Sequence, residues 1–332
     1  MIVIDFSNIA IFSLMGVVGG QTDIPVDMNV MRHATLNTIQ TLNKKYRKRF
    51  GGIVICTDGD KYWRRTEFPL YKYARKKVKE DSQYDWDAIN DHMSQLQQEL
   101  KDFFPYPVIG ASEAEADDCI GIMAEWSQTN DFKPSGGLFE EETPKDFLIV
   151  GSDTDYFQLH KWKNVKQISP LKMGEDSAQV KSDVPLNQFI LEHILTGDSG
   201  DGIPNILSPI TFFKDKEDET NPQRQKPVTA NIKKFYMDQI TEHGEIREFQ
   251  AIKLYAADDK NKKKPIGEIT PEQLEERFEF NKKLISFDAI PAKVKKSVVK
   301  SYESQLGKDR SQLLSYFTKN KLRNMIDDVE EF

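Results

Sequence analysis

Cysteine is nearly absent from this chain, with only Cys56 and Cys119 in 332 residues. One lies in an apolar run expected to be a strand and the other in an expected helix. Their spacing excludes a disulfide-stapled scaffold and a zinc ribbon, and a reducing, cytoplasmic compartment is the expectation. Long apolar runs are also missing. The stretch Ile9 to Gly20 is interrupted and too short to span a bilayer, and Asp5 stands where a secretory leader would be basic, so no membrane association is expected. Nor is there an excess of positive charge. The formal net charge of −7 argues on average against a nucleic-acid binder, although the distribution of charge matters more than its sum. There is no internal repeat. The length suits one large or two ordinary domains.

What the sequence does have is acids placed after apolar runs. In FLIVGSDTDYFQL, Phe147 to Leu159, the run Phe147 to Val150 reads as a buried parallel strand, and Asp153 and Asp155 follow it. Two carboxylates this close suit a divalent cation with oxygen ligands; they equally suit an Asp-rich turn in which Asp155 caps the next helix. The N-terminal MIVIDF reads as a strand ending at Asp5, with Ser7 and Asn8 as turn residues. A crossover helix over Val30 to Arg49 leads to the strand Ile53 to Thr57, which ends at Asp58. Three strand ends carrying acids would converge at one edge of a parallel sheet, where open α/β sheets bind ligands.

Two further clusters add to this. In SEAEADDCIGIMAEW, Ser112 and Glu115 fit a capping box, yet Glu115 and Asp118 lie three apart, about 5–6 Å between Cβ atoms, where like charges repel unless a cation binds; Asp117 adjoins them. In GDSGD, Asp198 and Asp201 lie three apart in a Gly-rich turn, which is also an ordinary helix terminator. Between Lys61 and Lys79, basic Arg64, Arg65, Lys72, Arg75, Lys76 and Lys79 interleave with Tyr62, Trp63, Phe68, Tyr71 and Tyr73, a mixture suited to phosphates and bases or to a solvated basic surface. Trp86 to Phe103 shows an amphipathic stripe that reads as packing. Asp131 to Lys145 reads as a polar loop, and Lys214 to Gln225 as a hydrophilic mobile stretch. Helical patterns are expected at 185–195, 232–240, 246–255, 271–284, 292–302 and 312–326.

Taken in order, VIDFSN, the strand ending at Asp58, YWRR with its basic sequel, EADD, GSDTDYFQLHK, GDSGD and the terminal SYFTKN…EEF resemble the flap-endonuclease or 5′-nuclease family, and within it the phage subgroup, along nearly the whole chain. The resemblance implies an α/β core with a mostly parallel central sheet flanked by helices, residues 1–184, with an arch at about 61–104. It implies a mostly helical duplex-binding part at 185–332. The implied activity is that of a ribonuclease H and 5′-3′ exonuclease with flap-endonuclease action, removing RNA primers from RNA–DNA hybrids and digesting duplex or flap DNA during lagging-strand replication. Two Mg²⁺ ions, with Mn²⁺ as a substitute, would be held by Asp5, Asp58, Glu115, Asp117, Asp118, Asp153, Asp155, Asp198 and Asp201. Of these, Asp5, Asp58, Asp118 and Asp155, with Lys72, are the expected catalytic residues, and Glu113 is the alternative first acid of its motif. Arg64, Arg65, Lys72, Arg75, Lys76 and Lys79 would contact nucleic acid. A phage single-stranded-DNA-binding protein and a sliding clamp are the implied partners of a monomer in the host cytoplasm. The stretch after GDSGD, with Ser208 and Pro209, departs from the Gly-rich, potassium-binding hairpin of many relatives.

Two other readings are open from sequence. A PIN-like RNA endonuclease shares the strand-end acids without a long basic segment. A catalytically silent branched-DNA binder is disfavoured, because unneutralised carboxylates lining a phosphate cleft weaken binding.

Overall fold

The computed structural model describes residues 1–19, 27–73, 75, 79, 81–82, 84–129, 146–170, 180–215, 224–257 and 269–332. Within them, five parallel strands form one sheet: β1 (Ile2–Asp5), β2 (Ile53–Cys56), β3 (Val108–Ile109), β4 (Phe147–Val150) and β5 (Val165–Ile168), in the order β3-β2-β1-β4-β5. β1, β2 and β4 are continuous apolar runs because both faces are covered. On one face Ile2, Ile4, Ile53, Ile55, Leu148 and Val150 join a core with α1 (Phe6–Val18), α2 (Met28–Phe50) and the Trp86–Phe103 helix. The Ala116–Trp126 helix also packs on β1 and β2.

Contacts divide the chain into two units. The first comprises Met1–Trp63, Ser82–Lys181 and Ile290–Phe332; the second comprises Arg64–Asp81 and Ser182–Ala289. This differs from the split at 184/185 drawn from sequence. The last segment belongs with the sheet because Leu313, Tyr316, Phe317, Met325 and Phe332 are buried in its core, where the Phe317 and Phe332 rings meet at 5.1 Å. The proposed arch also divides. Ile89, Leu96 and Leu100 bury the Trp86–Phe103 helix in the same core, so its amphipathic stripe is packing, and only residues 64–81 belong to the second unit. The core of that second unit is Leu191, Ile194, Leu195, Ile232, Tyr236, Tyr255, Leu274 and Phe278, drawn from helices Leu186–Thr196, Ala230–His243, Ala251–Ala257 and Pro271–Ile285.

Some boundaries shift. α1 begins directly at Phe6, where Ser7 and Asn8 read as a turn, because Asp5 itself caps the helix. The pattern at 246–255 becomes helical only from Ala251. The one at 312–326 breaks into Leu313–Lys319 and Arg323–Ile326, with Lys321 at φ 57 between them. The loop expected at 131–145 and most of the stretch at 214–225 lie outside the described residues.

Candidate metal centre

Every strand-end acid in the first unit also does a local structural job, and those jobs draw them together. Asp5 Oδ1 accepts from Asn8 N at 3.1 Å and so caps α1. Asp58 Oδ1 accepts from Ala116 N at 3.1 Å, and its Oδ2 takes the Ser7 hydroxyl at 3.4 Å, so the ends of β1, β2 and the Ala116–Trp126 helix meet at one carboxylate. Asp153 caps the 3₁₀ segment Thr154–Lys161 through Asp155 N at 2.8 Å; the cap is Asp153, not Asp155 as the turn reading had it. With β1 central and the chain moving outward in opposite directions from it, the carboxyl ends of β1 and β4 flank the switch point, where the sheet opens a crevice.

Buried groups between these acids register their convergence. Burial pushes the Cys119 thiol up, and Asp118, Asp58, Asp117 and Asp5 push it further. Burial likewise raises Cys56, helped by Cys119, Asp5 and Asp117, and raises the Tyr156 phenol, helped by Asp117, Asp5 and Asp153. Carboxylates from three strand ends and from the first turn of the Ala116–Trp126 helix therefore share one neighbourhood. The donors described above are neutral, and an all-carboxylate oxygen set fits a hard divalent cation such as Mg²⁺ or Mn²⁺.

The EADD motif divides its labour. Glu115 and Asp118, 2% and 0% exposed, are the reciprocal pair of a capping box, which thus lies three residues later than the Ser112–Glu115 box read from sequence. Asp118 Oδ2 accepts from Glu115 N at 3.0 Å and from the Trp63 indole at 3.1 Å. Asp117, half-buried, accepts the Tyr156 hydroxyl. Glu113 pairs with Lys293 at 2.7 Å. Ser112 instead binds Asp60.

Asp198 and Asp201 lie in the second unit. Asp198 Oδ1 accepts from Gly200 N at 2.7 Å and Asp201 N at 3.1 Å, and its Oδ2 is 3.7 Å from His193 Nε2. Burial pushes this carboxyl up, but His193 and the two N–H groups outweigh it and hold it below the usual range. Asn281, 2% exposed, donates to the carbonyls of Ile194 at 2.9 Å and Pro204 at 2.8 Å and so holds the turn from both sides.

The basic segment is less uniform than its composition. Arg65, Arg75 and Lys79 are exposed. Arg64 is not; it is 4% exposed and its Nε donates to the Leu284 carbonyl at 2.7 Å, so it braces its own unit and is withdrawn from any phosphate. Trp63, Phe68 and Tyr71 are buried where the interleaved pattern suited bases; Phe68 packs, and the Trp63 indole and Tyr71 hydroxyl each donate to a carboxylate, Asp118 and Asp201. Lys76 lies outside the described residues. Two contributors were not singled out by the sequence, Tyr156 and Gln167, and Trp63 stood there only among the aromatics of the basic segment. Gln167, 1% exposed, donates to the carbonyls of Gly151 at 2.9 Å and Asp153 at 2.8 Å. Tyr156 stood in the sequence only as a letter of the GSDTDYFQLHK motif, with no role of its own.

Residues 21–184 match the family of 5′-3′ exonuclease N-terminal resolvase-like domains, and residues 245–332 match the C-terminal domain of T4 RNase H. Ribonuclease H of Enterobacteria phage T4 is 29% identical over 339 aligned positions, spanning 99% of this chain and 94% of the relative. The chain belongs to the 5′-nuclease family. Among its other members, flap endonuclease Xni of Shewanella sp. (strain MR-4) is 31% identical over 155 residues, which is 46% of this chain and 52% of that one. The 5′-nuclease fold is seen again in T5 5′-exonuclease with bound zinc, at TM-score 0.55 and 16% identity over 92% of this chain and 97% of the other. A T5 flap endonuclease complex with DNA and metal ions gives TM-score 0.55 at 17% identity, over the same shares. Among the described residues no helix is long and apolar enough to cross a membrane.

Proposed function

We propose that this 5′-nuclease homologue is a Mg²⁺-dependent 5′ to 3′ nuclease that removes RNA from RNA–DNA hybrids and cuts duplex or flap DNA from 5′ ends in lagging-strand replication. The observation that carries the reading is the gathering of strand-end carboxylates around Tyr156 and Cys119. Asp5, Asp58, Asp117, Asp153 and Asp155 are the proposed metal carboxylates of the first unit. Glu115 and Asp118, buried in their capping box, fix the helix that presents Asp117. A bound pair of such ions would supply a hydroxide nucleophile and stabilise the leaving oxygen.

The chain's own groups do the rest. Neutral donors orient the carboxylates of Asp5, Asp58, Asp117 and Asp153 ahead of any cation. Lys72, with Arg75, Arg65 and Lys79, supplies positive charge for phosphate oxygens, which compensates locally for a net charge of −7. The replication partners implied by the resemblance, a single-stranded-DNA-binding protein and a sliding clamp, belong to the same proposal.

The test is cleavage of a 5′-labelled RNA–DNA hybrid and a matched 5′-flap duplex, in Mg²⁺ or EDTA, by wild type and Asp155→Asn. Short 5′ products that need Mg²⁺ and vanish in the variant, while hybrid binding survives, are the expected result. Tight binding without cleavage under any divalent ion would replace this reading with a silent DNA-binding one.

A further inference from the structure

Within the second unit, one carboxylate fastens the Gly197–Asn205 turn to the Leu70–Arg75 segment. Asp201 Oδ2 accepts from the Tyr71 hydroxyl at 2.7 Å and lies 3.7 Å from Lys72 Nζ, while Oδ1 accepts from Arg75 Nη2 at 2.5 Å. The backbones join as well: Lys72 N donates to the Asp201 carbonyl at 2.8 Å, and Arg75 Nε to the Gly200 carbonyl at 3.3 Å. Gly202, at φ +75, sits so that a Cβ would come within 3.2 Å of the Leu70 carbonyl oxygen, and only a glycine allows both the turn and the approach. Lys72 is at φ 58, a conformation that residues with side chains hold only when their surroundings impose it.

Both oxygens of Asp201 are therefore engaged by donors from the basic segment. Unlike the neutral donors on Asp58, these include a guanidinium, with an ammonium at 3.7 Å, so a divalent ion there would sit against like charge. Asp198, three residues earlier, differs: its described partners are two backbone N–H groups and His193. The fit of Asp201 is to cations of the protein itself. We propose that Asp201 is a positioning residue for Lys72 and Arg75 rather than a metal ligand, and that Tyr71 is the second half of the clamp. Lysine and arginine side chains lose much rotamer freedom on binding phosphate, and a carboxylate that fixes them beforehand removes that cost from the reaction. What the two cations contact rests on the nuclease reading; the clamp itself does not.

Two measurements on the full chain decide it, with melting temperatures confirming that each variant folds. The first is Mn²⁺ binding without nucleic acid, followed by electron paramagnetic resonance. Asp201→Asn is expected to bind the same number of ions with affinity within about twofold of wild type. The second is single-turnover cleavage of the labelled hybrid against Mg²⁺. There, Asp201→Asn is expected to be slower by about ten- to a hundredfold at saturating Mg²⁺ with an unmoved midpoint, as misplacement of a positioned group produces. Tyr71→Phe should show a smaller loss of the same kind. Added to the double variant Lys72→Ala/Arg75→Ala, Asp201→Asn should slow cleavage by no more than about twofold, since a residue acting through others adds little once those others are gone. A lost Mn²⁺ site, a tenfold shift in the Mg²⁺ midpoint, or multiplicative losses in the triple variant overturns the proposal. If wild type cleaves nothing, the nuclease reading fails, and the Mn²⁺ titration still decides: unchanged binding in Asp201→Asn supports the clamp, and a lost site overturns it.

Discussion

The Tyr156 hydroxyl donates to Oδ1 of Asp117 and so ties the turn after β4 to the first turn of the Ala116–Trp126 helix. Because burial and the neighbouring acids push this phenol well up, it stays a proton donor throughout the neutral range. Tyr156→Phe keeps the ring and removes the donor. Stability should fall by about 1–2 kcal/mol in urea denaturation, and the Mg²⁺ midpoint for cleavage should rise as Asp117 loses its orientation. Cleavage identical to wild type at every Mg²⁺ concentration would reduce the contact to packing.

Three glycines separate close approach from open space. A Cβ on Gly59 would lie 2.1 Å from the Ala111 carbonyl oxygen and 2.7 Å from that of Ser112, both rigid backbone. Gly59→Ala should cost about 1–3 kcal/mol, as overpacking does, and should displace the segment leading to Glu115. On Gly151 the Cβ would meet the Tyr156 ring at 2.8 Å, so Gly151→Ala should mimic Tyr156→Phe in the Mg²⁺ titration. Gly16, inside α1 with nothing within 4 Å, is the opposite case. Gly16→Ala should stabilise by about 0.5–1 kcal/mol in thermal melts.

Acid should weaken the first unit through Glu99. Arg32 binds Glu99 through Nε at 2.8 Å and Nη2 at 2.7 Å, and the Tyr316 hydroxyl adds a third bond at 2.6 Å. Burial alone would push the Glu99 carboxyl up, but Arg32, Tyr316 and Gln95 hold it below the usual range. A depressed carboxyl contributes stability that is full above its unfolded value, about 4.3, and is lost as pH falls through the folded one. Melting temperature should therefore fall below about pH 4.3, and Glu99→Gln should flatten that fall. At neutral pH the same variant should lose about 3 kcal/mol, because the buried Arg32 is left uncompensated.

Charge removal should sort the basic segment into two classes. Arg65→Ala and Lys79→Ala remove exposed cations. Each should weaken hybrid binding and reduce the salt slope of log K by about one. Arg64→Ala should leave that slope alone and lower stability by about 1–3 kcal/mol, since the Leu284 carbonyl loses its donor. Equal salt slopes for Arg64→Ala and Arg65→Ala would contradict the assignment.

The sheet was legible because buried parallel strands write themselves as uninterrupted β-branched runs; Phe147–Val150 matches its expected span. β3 was not, because two residues between Pro107 and Gly110 carry no period. The acids were legible as residues but not as roles. Asp118 and Asp117 look alike in sequence, and only burial separates the capping-box member from the half-exposed neighbour. Arg64 and Arg65 differ in the same way. In the sequence Trp63 stands among aromatics suited to bases and Tyr156 has no role, because an aromatic that hydrogen-bonds a carboxylate has no sequence signature of its own.

The return of residues 290–332 to the sheet has a bearing on biosynthesis. Strands β1 to β5 are all complete by Ile168, yet Leu313, Phe317 and Phe332 join the core they share with the sheet only when translation reaches them. On the ribosome that core, already holding α1, α2 and the Trp86–Phe103 helix, stays incomplete while well over a hundred further residues are made, a long-range closure of the kind that slows folding and invites chaperones. The nascent chain therefore holds its full set of carboxylates well before it has the packing to keep them in register.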